Sequence, residues 1–374
     1  MTRILVLHVP NGGGHRAAAH AIAEAAAEHA DSTGESIEVD VVDALEHTPR
    51  WWRRAYTRSF LRTTAHAPAA YGLTYDTLNQ RSPLVDGVRR GLDRTVGRAL
   101  RAFAQSDAYD VVVGTHYFPL AVLGRDRARG ALGIPLVAVV TDYAAHAFWA
   151  EPGVDLYCAP RGGAGLDLER HGAAANVIAP VGIPVRPAFG RIAPLAPHAG
   201  PVRVLLTSGG FGIGPLAGAL RSFAGVPVEL VVVCGHAPER AEEARRIAAE
   251  LGLSAEVVGF EQDMPRRMAW ADVVVGKPGG LTVSECLAAG RPFVSMGACP
   301  GQEQHNEDWL VVNRAAVAVP AERVGAAVAA LDPAALASMA AAARRIGAPH
   351  AAREVVRHAL RLAREAASLR VLAA

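Results

Sequence analysis

Lysine is almost missing from this chain: of 38 Lys and Arg residues among 374, Lys277 is the one lysine and the rest are arginine. Cysteine is scarce as well. Cys158, Cys234, Cys286 and Cys299 lie far apart, without the spacing of metal ligands, which points to reduced thiols in a cytosol rather than a disulfide framework. No uninterrupted apolar run reaches the ~18 to 20 residues that span a bilayer, so any membrane contact is expected to be peripheral. Met1-Thr2-Arg3 runs straight into Ile4-Leu5-Val6-Leu7, so a signal peptide is not expected. A net charge of +2 argues against a strongly basic nucleic-acid binder. No Asp-x-Asp pair stands at a strand end, so no metal site is expected. What is present, 51% hydrophobic and 20% charged residues over this length, suits a globular protein of two domains with separate cores.

The first half reads as a doubly wound α/β domain. Ile4 to Val9 has the character of a buried parallel strand, Asn11-Gly12-Gly13-Gly14-His15 of a glycine-rich turn, and Ala17 to His29 of a helix. The turn is not a phosphate loop of the Gly-Lys-Ser/Thr kind, nor does it carry the GxGxxG spacing of a dinucleotide fold. His15 would stand at the helix N-terminus. There it is either a capping or merely exposed imidazole, or a neutral base able to accept a proton from a hydroxyl. Strands over Ile37–Asp43, Tyr109–Gly114 and Ile134–Val140 follow, with a helix at 85–105 between them. The strand ends carry His15, His116, and Asp142 with His146, at the edge where open α/β sheets bind ligands.

Between His47 and Tyr75 the chain holds no acid, and arginines alternate with aromatics. At ~100° per residue Arg50, Arg54, Arg58 and Arg62 fall on one side of a helix, and Trp52, Tyr56 and Phe60 on the other. Trp52, Arg54, Tyr56, Arg58 and Phe60 are therefore candidates for contact with an anionic membrane surface. The same aromatics would equally serve to pack the helix on its own domain.

The run 183–201, with Pro184, Pro187, Pro194, Pro197 and Pro201, interrupts the pattern. It divides the chain into a first domain at 1–188, a Pro-rich linker at 189–201, a second domain at 202–345 and a C-terminal helix at 346–374 that could return to the first. Beyond the linker the βα rhythm restarts with Val202–Thr207 and Ser208-Gly209-Gly210, then Val228–Cys234 and Ala255–Gly259. Two such domains suggest a cleft with a ligand on each wall. The second glycine loop, Val275-Gly276-Lys277-Pro278-Gly279-Gly280, opens a helix at Leu281 whose first N–H groups form an anion site. Thr282 or Ser284 can cap that helix, and Glu285 suits sugar hydroxyls better than phosphate. Lys277 either touches phosphate or supports the turn through a neighbouring carboxylate.

The strings NGGGHRAAAHAI, TDYAAHAFW, APVGIPVRPAF, LLTSGG, GKPGGLTVSECLAAGRP and PGQEQHN resemble the monogalactosyldiacylglycerol synthase and processive diacylglycerol glucosyltransferase group, in order from about residue 3 to about residue 315. These enzymes are related to the N-acetylglucosaminyltransferase of lipid II synthesis. The resemblance implies a GT-B fold, two Rossmann-like βα domains facing each other across a cleft. It also implies a UDP-hexose as co-substrate rather than a cofactor, and a lipid acceptor, or a small-molecule one in the alternative reading. No nucleic-acid partner is expected, and the location would be cytoplasmic, peripheral on the inner membrane face. A dinucleotide-dependent oxidoreductase or a nucleotide-binding regulatory module is the remote alternative.

By the same resemblance Ser208, Gly209, Gly210, Gly279, Gly280, Leu281 and Thr282 would meet the diphosphate, Phe260 the base through its backbone, and Glu285 the ribose. Gln302 and Glu303 would face the hexose. Gly12, Gly13, Gly14, His116, His146 and Trp149 would line the acceptor. Plant members have an acid where this chain has Pro10, which raises His15 as the catalytic base with Asp142 in reserve. Inverting, metal-independent transfer is the expected chemistry.

Overall fold

The structure, a computed structural model, describes residues 1–10, 13–66, 72, 75, 77–80, 83–106, 108–210, 212 and 214–373. The chain forms two compact units, Met1–Pro187 with His350–Ala374, and Ala188–Pro349.

The first unit is a six-stranded sheet of order β2-β1-β3-β4-β5-β6. Its strands are β1 (Thr2–His8), β2 (Ile37–Asp43), β3 (Val111–Gly114), β4 (Leu136–Val139), β5 (Leu156–Ala159) and β6 (Ile178–Pro180), with every pairing parallel. Both faces are covered, so the strands read as continuous apolar runs whose alternate residues serve different cores. Leu5, Leu7, Val112 and Ala138 join the core under the helix Tyr117–Ala128. Ile4, Val6, Val111, Val113, Val137 and Val139 join the one under the helices Gly14–Thr33 and Ala351–Ala373. Alanines 19, 21, 25 and 26 on one of these helices, and 352, 359 and 363 on the other, keep them close to the sheet and to each other. Arg353 to Glu28 at 3.0 Å and Arg364 to Glu35 at 2.6 Å tie their outer edges.

The second unit is a six-stranded sheet of order β12-β11-β10-β7-β8-β9. Its strands are β7 (Val202–Thr207), β8 (Val228–Val233), β9 (Ala255–Val258), β10 (Val273–Gly276), β11 (Phe293–Ser295) and β12 (Ala316–Ala318), again all parallel. Each sheet has one place where the strand order turns back, between β1 and β3 in the first and between β7 and β10 in the second. Loops leaving the carboxyl ends of neighbouring strands diverge there and leave room for a ligand.

Three features depart from the reading of the sequence. The stretch expected as one helix at 85–105 is two, Pro83–Val96 and Arg98–Ala104. They part at Gly97, where a Cβ would come within 2.6 Å of the Val122 side chain. Strands β5, β6 and β12 were not anticipated. The stretch 189–201, expected as a linker, is held inside the second unit. Arg344 donates to Ile192 O at 3.0 Å, Arg291 donates to Ala193 O at 3.2 Å, and Leu195 packs on the core. Among the described residues no single helix is long and apolar enough to cross a membrane.

Candidate functional site

At the end of β1 the chain turns through Gly13, which has φ +74° and stands as the N-cap of the helix Gly14–Thr33. That left-handed conformation suits a residue without Cβ. Gly12 lies outside the described residues. His15, in the helix's first turn, leans toward the end of β3. Its Nδ1 donates to Thr115 O at 2.7 Å, with Thr141 Oγ1 3.0 Å from the same nitrogen. The Thr115 hydroxyl donates back to His15 O at 2.9 Å. A carbonyl can only accept, so the ring proton sits on Nδ1 and the Nε2 lone pair is left to accept another. Burial lowers the His15 pKa to about 4, with the nearby His8 adding to the fall and the Thr115 carbonyl opposing it. The imidazole is therefore neutral at pH 7 and in the tautomer a base requires. Composition and motif reading missed both threonines. Their signal is positional, since each directly follows a strand run, in VVVGT and in VAVVT.

The two candidate histidines at the neighbouring strand ends serve the backbone. His116 Nδ1 accepts from Phe118 N at 3.0 Å and caps the helix Tyr117–Ala128, its ring edge-on to His15 with centroids 4.6 Å apart. Burial holds its pKa well below the ordinary histidine value. His146 repeats the device: Nδ1 accepts from Phe148 N at 3.1 Å, and Nε2 donates to Tyr75 O at 3.1 Å. Both ring nitrogens of His146 are thus engaged by the backbone. Trp149 is buried in the core, and Asp142 is half-buried beside Thr141.

Of the two readings of the arginine-aromatic helix, Arg50–His66, the packing reading describes Trp52 and Tyr56. Both lie against the first unit's core, and Tyr56 shares a 2.7 Å hydrogen bond with the Tyr117 hydroxyl. Arg53 pairs with Asp43 at 3.1 Å and Glu46 at 3.3 Å. The exposed face is Arg50, Trp51, Arg54 and Arg58. The side chain of Phe60 lies outside the described residues.

In the second unit β7 and β10 deliver two glycine loops side by side, because the strands are paired with Gly276 opposite Thr207. Ser208 is buried, its N–H donating to Val233 O at 3.2 Å. Gly209 has φ +72°, and a Cβ at Gly209, Gly210 or Gly279 would meet nothing within 4 Å. Each of these three positions thus has room beside its Cα among the described residues. The helix Gly280–Ala289 has Gly279 as N-cap with no side-chain hydrogen bond. This corrects the expected Thr282 or Ser284 cap: Ser284 Oγ instead bonds back to Gly280 O at 2.7 Å. The N–H groups of Gly280, Leu281 and Thr282 have no acceptor within the helix. At its other end Arg291 is buried and donates to Ala289 O, Met268 O, Ala269 O and Ala193 O. Cations on the C-terminal carbonyls and bare N–H groups at the N-terminus both favour an anion at the glycine end.

The helix Gln302–Val312 holds this loop from behind. Asn306 is fully buried and donates from Nδ2 to Pro278 O at 3.0 Å, while Lys277 Nζ donates to Glu303 Oε1 at 2.9 Å. Lys277 thus supports the turn through a carboxylate, one of the two roles the sequence had left open. Asn306 was not singled out from sequence, although it lies one helical turn after Glu303. Glu285 is half-buried on the Gly280–Ala289 helix. Phe260 is exposed with its ring stacked on His236, centroids 3.9 Å apart, and His236 N bonds to Gly210 O at 2.9 Å. Among the described residues no group of three or more His, Cys, Asp or Glu is disposed to hold a metal ion.

Two parallel α/β units, each with ligand-side loops at the turning point of its sheet, define the class as GT-B. The comparisons with known proteins carry this further. Residues 15–185 match the family model of monogalactosyldiacylglycerol (MGDG) synthase, and residues 217–328 match the glycosyltransferase family 28 C-terminal domain. The first match falls within the first unit and the second within the second unit. Monogalactosyldiacylglycerol synthase of Spinacia oleracea is 29% identical over 339 residues, 83% of this chain and 62% of that protein. Processive diacylglycerol beta-glucosyltransferase of Bacillus subtilis (strain 168) is 28% identical over 219 residues, 56% of this chain and 57% of that protein. The chain therefore spans about three-fifths of the length of these curated relatives. Among solved structures, MurG of Acinetobacter baumannii is similar with a TM-score of 0.62 and 17% identity, over 96% of this chain and 100% of that one. Anabaena Alr3699/HepE in complex with UDP-glucose is similar with a TM-score of 0.54 and 14% identity, over 96% of this chain and 99% of that one.

Proposed function

We propose that this protein is an inverting, metal-independent glycosyltransferase that moves a hexose from a UDP-sugar to a hydroxyl of a diacylglycerol-like lipid at the cytoplasmic membrane face. The observation that carries the reading is the pair of glycine loops at the ends of the paired strands β7 and β10, with the N–H groups of Gly280, Leu281 and Thr282, which have no acceptor within their helix, at the start of the helix that follows the second. A departing nucleoside diphosphate gains negative charge as the glycosidic bond breaks. Donors already in place stabilise that charge without reorganisation, each worth ~3 to 4 kcal/mol in comparable sites. Ser208, Gly209 and Gly210 would line the phosphates, with Phe260 at the base, Glu285 at the ribose, and Gln302 and Glu303 at the hexose. His15 Nε2 would take the proton of the acceptor hydroxyl as it attacks the anomeric carbon, with Asp142 the alternative base. The lipid acceptor rests on the names of the relatives, and the UDP-sugar donor on the neighbour solved with UDP-glucose together with the glycine loops.

The test is a panel of UDP-hexoses incubated with diacylglycerol vesicles, following UDP release and the anomeric configuration of the product by NMR. Transfer to lipid with inversion is the expected result; retention, or release of UDP independent of lipid, overturns it. A second reading, transfer to a soluble metabolite, is favoured by the packing of half-buried Trp52 and Tyr56 against the first unit's core, which turns two aromatics away from the face that would meet a membrane. In that case the protein would not sediment with anionic liposomes.

A further inference from the structure

Lys277 occupies a position no arginine shares in this arginine-dominated chain, and its contacts give a physical reason for the choice. Its ammonium donates to Glu303 Oε1 at 2.9 Å, and the other carboxylate oxygen, Oε2, accepts from Cys299 N at 2.9 Å. Both side chains are largely withdrawn from solvent, 22% and 16% exposed. The stem of Lys277 runs over Gly214, where φ is +145° and a Cβ would stand 3.0 Å from Lys277 Cδ. One side chain therefore touches the loop after β7, belongs to the loop after β10, and ends on the helix Gln302–Val312. A guanidinium at this position would present a planar fork that matches both carboxylate oxygens at once. It would compete with Cys299 N for Oε2. An ammonium is a compact single-point partner that engages Oε1 and leaves Oε2 to Cys299 N.

We propose that Lys277 is a positioning residue for donor-sugar recognition: it orients the Glu303 carboxylate so that its remaining lone pairs meet hydroxyls of the hexose, and it governs the sugar half of the donor rather than the nucleotide half. This rests on the reading that the second unit binds a UDP-hexose with Glu303 at the sugar. Calorimetric titration of the full-length protein with UDP and with UDP-hexose separates the two claims. The wild type should bind UDP, and bind its UDP-hexose more tightly. Lys277→Met and Glu303→Gln should each keep UDP affinity within about twofold while losing about tenfold or more of the hexose-dependent gain, the size expected for a hydrogen bond to a charged group. The double variant should lose no more than Glu303→Gln alone, because the lysine acts through the glutamate. Lys277→Arg keeps the charge and should still fail to restore the hexose gain.

A tenfold fall in UDP affinity in Lys277→Met, an additive double variant, or full rescue by arginine would each overturn the proposal by showing that the cation acts on the diphosphate or only by its charge. If the wild type binds no UDP, it is the donor-site reading that fails. If the wild type shows the hexose gain and Lys277→Met retains it, the positioning role fails alone. Thermal unfolding of each variant, and the Glu303→Gln arm, which leaves the loop lysine in place, guard against a folding defect.

Discussion

The histidine loop of the first unit and the glycine loops of the second are built on opposite plans. At His15 the side chain is tied down: Thr115 holds both its ring and its backbone, and one ring nitrogen is left to act. In the second unit the N–H groups at the start of the helix Gly280–Ala289 have no acceptor within it, and the tied side chain, Asn306, holds the loop through Pro278 O. A group that moves one proton needs a single atom of defined tautomer, whereas an anion-binding cradle needs several donors fixed by scaffolding. The contrast also explains why His116 and His146, though at equivalent strand ends, differ from His15. Their Nδ1 atoms accept from the N–H two residues on, a capping role that fixes the turn.

The sharpest way to break this comparison is His15→Ala. Removing a general base is expected to lower kcat by about 10²- to 10⁴-fold with UDP affinity unchanged, read by steady-state kinetics beside calorimetry. Parallel loss of both would mean that the division of labour between the units is wrong. Next in size is Asn306→Ala. Leaving Pro278 O without its buried donor is expected to cost about 1 to 3 kcal/mol in urea unfolding and to weaken UDP binding, with kcat at saturating donor largely kept. Unchanged UDP affinity would show that the loop does not depend on the clamp.

A third test uses pH. Burial lowers the pKa of both His8 and His15 to about 4 in the folded protein, from an ordinary 6.5. The unfolded chain therefore binds more protons between these values. The stability these neutral imidazoles contribute is fully present above pH 6.5 and is lost as pH falls toward 4. The thermal midpoint should drop over that window, and His8→Asn should flatten part of the drop. If His15 is the base, the acid limb of kcat/KM should lie near pH 4 rather than near 6.5, and a limb at 6.5 would show that burial does not depress His15 in the working enzyme. The smallest effect belongs to the exposed face of the arginine helix. Trp51→Ala with Arg54→Ala should change stability by no more than about 0.5 kcal/mol per substitution while reducing sedimentation with anionic liposomes. Unchanged sedimentation would remove that helix from any membrane role.

Much of the fold was legible because parallel strands buried on both faces are apolar throughout and glycine loops follow them. Ile37–Asp43, Val202–Thr207 and the β10 turn were all read at or close to their observed limits. The strands β5, β6 and β12 were not, although β3, β4, β9 and β10 are nearly as short. Within the candidate site the glycine loops and His15 could be picked out by residue type. Thr115, Thr141 and Asn306 could not, because a threonine after a strand or an asparagine in a helix has no distinctive spacing. Trp52 and Tyr56 show the limit from the other side: a helical stripe of aromatics looks the same whether it meets a lipid or its own core.

Local chemistry along the chain thus determined two βα units, the loops that offer backbone N–H groups to an anion, and the arginine-rich helix. Each depends only on neighbours in sequence and on which residue types can turn, bury or cap. Tertiary structure alone decided the tautomer of His15, the packing of Trp52 on the core and the partner of Lys277. These are set by atoms 26 to 126 positions away, as with Glu303 for Lys277 and Thr141 for His15. Such meetings follow from strand order, because β1 lies beside β3 and β7 beside β10, and no local pattern specifies which loops that order brings together.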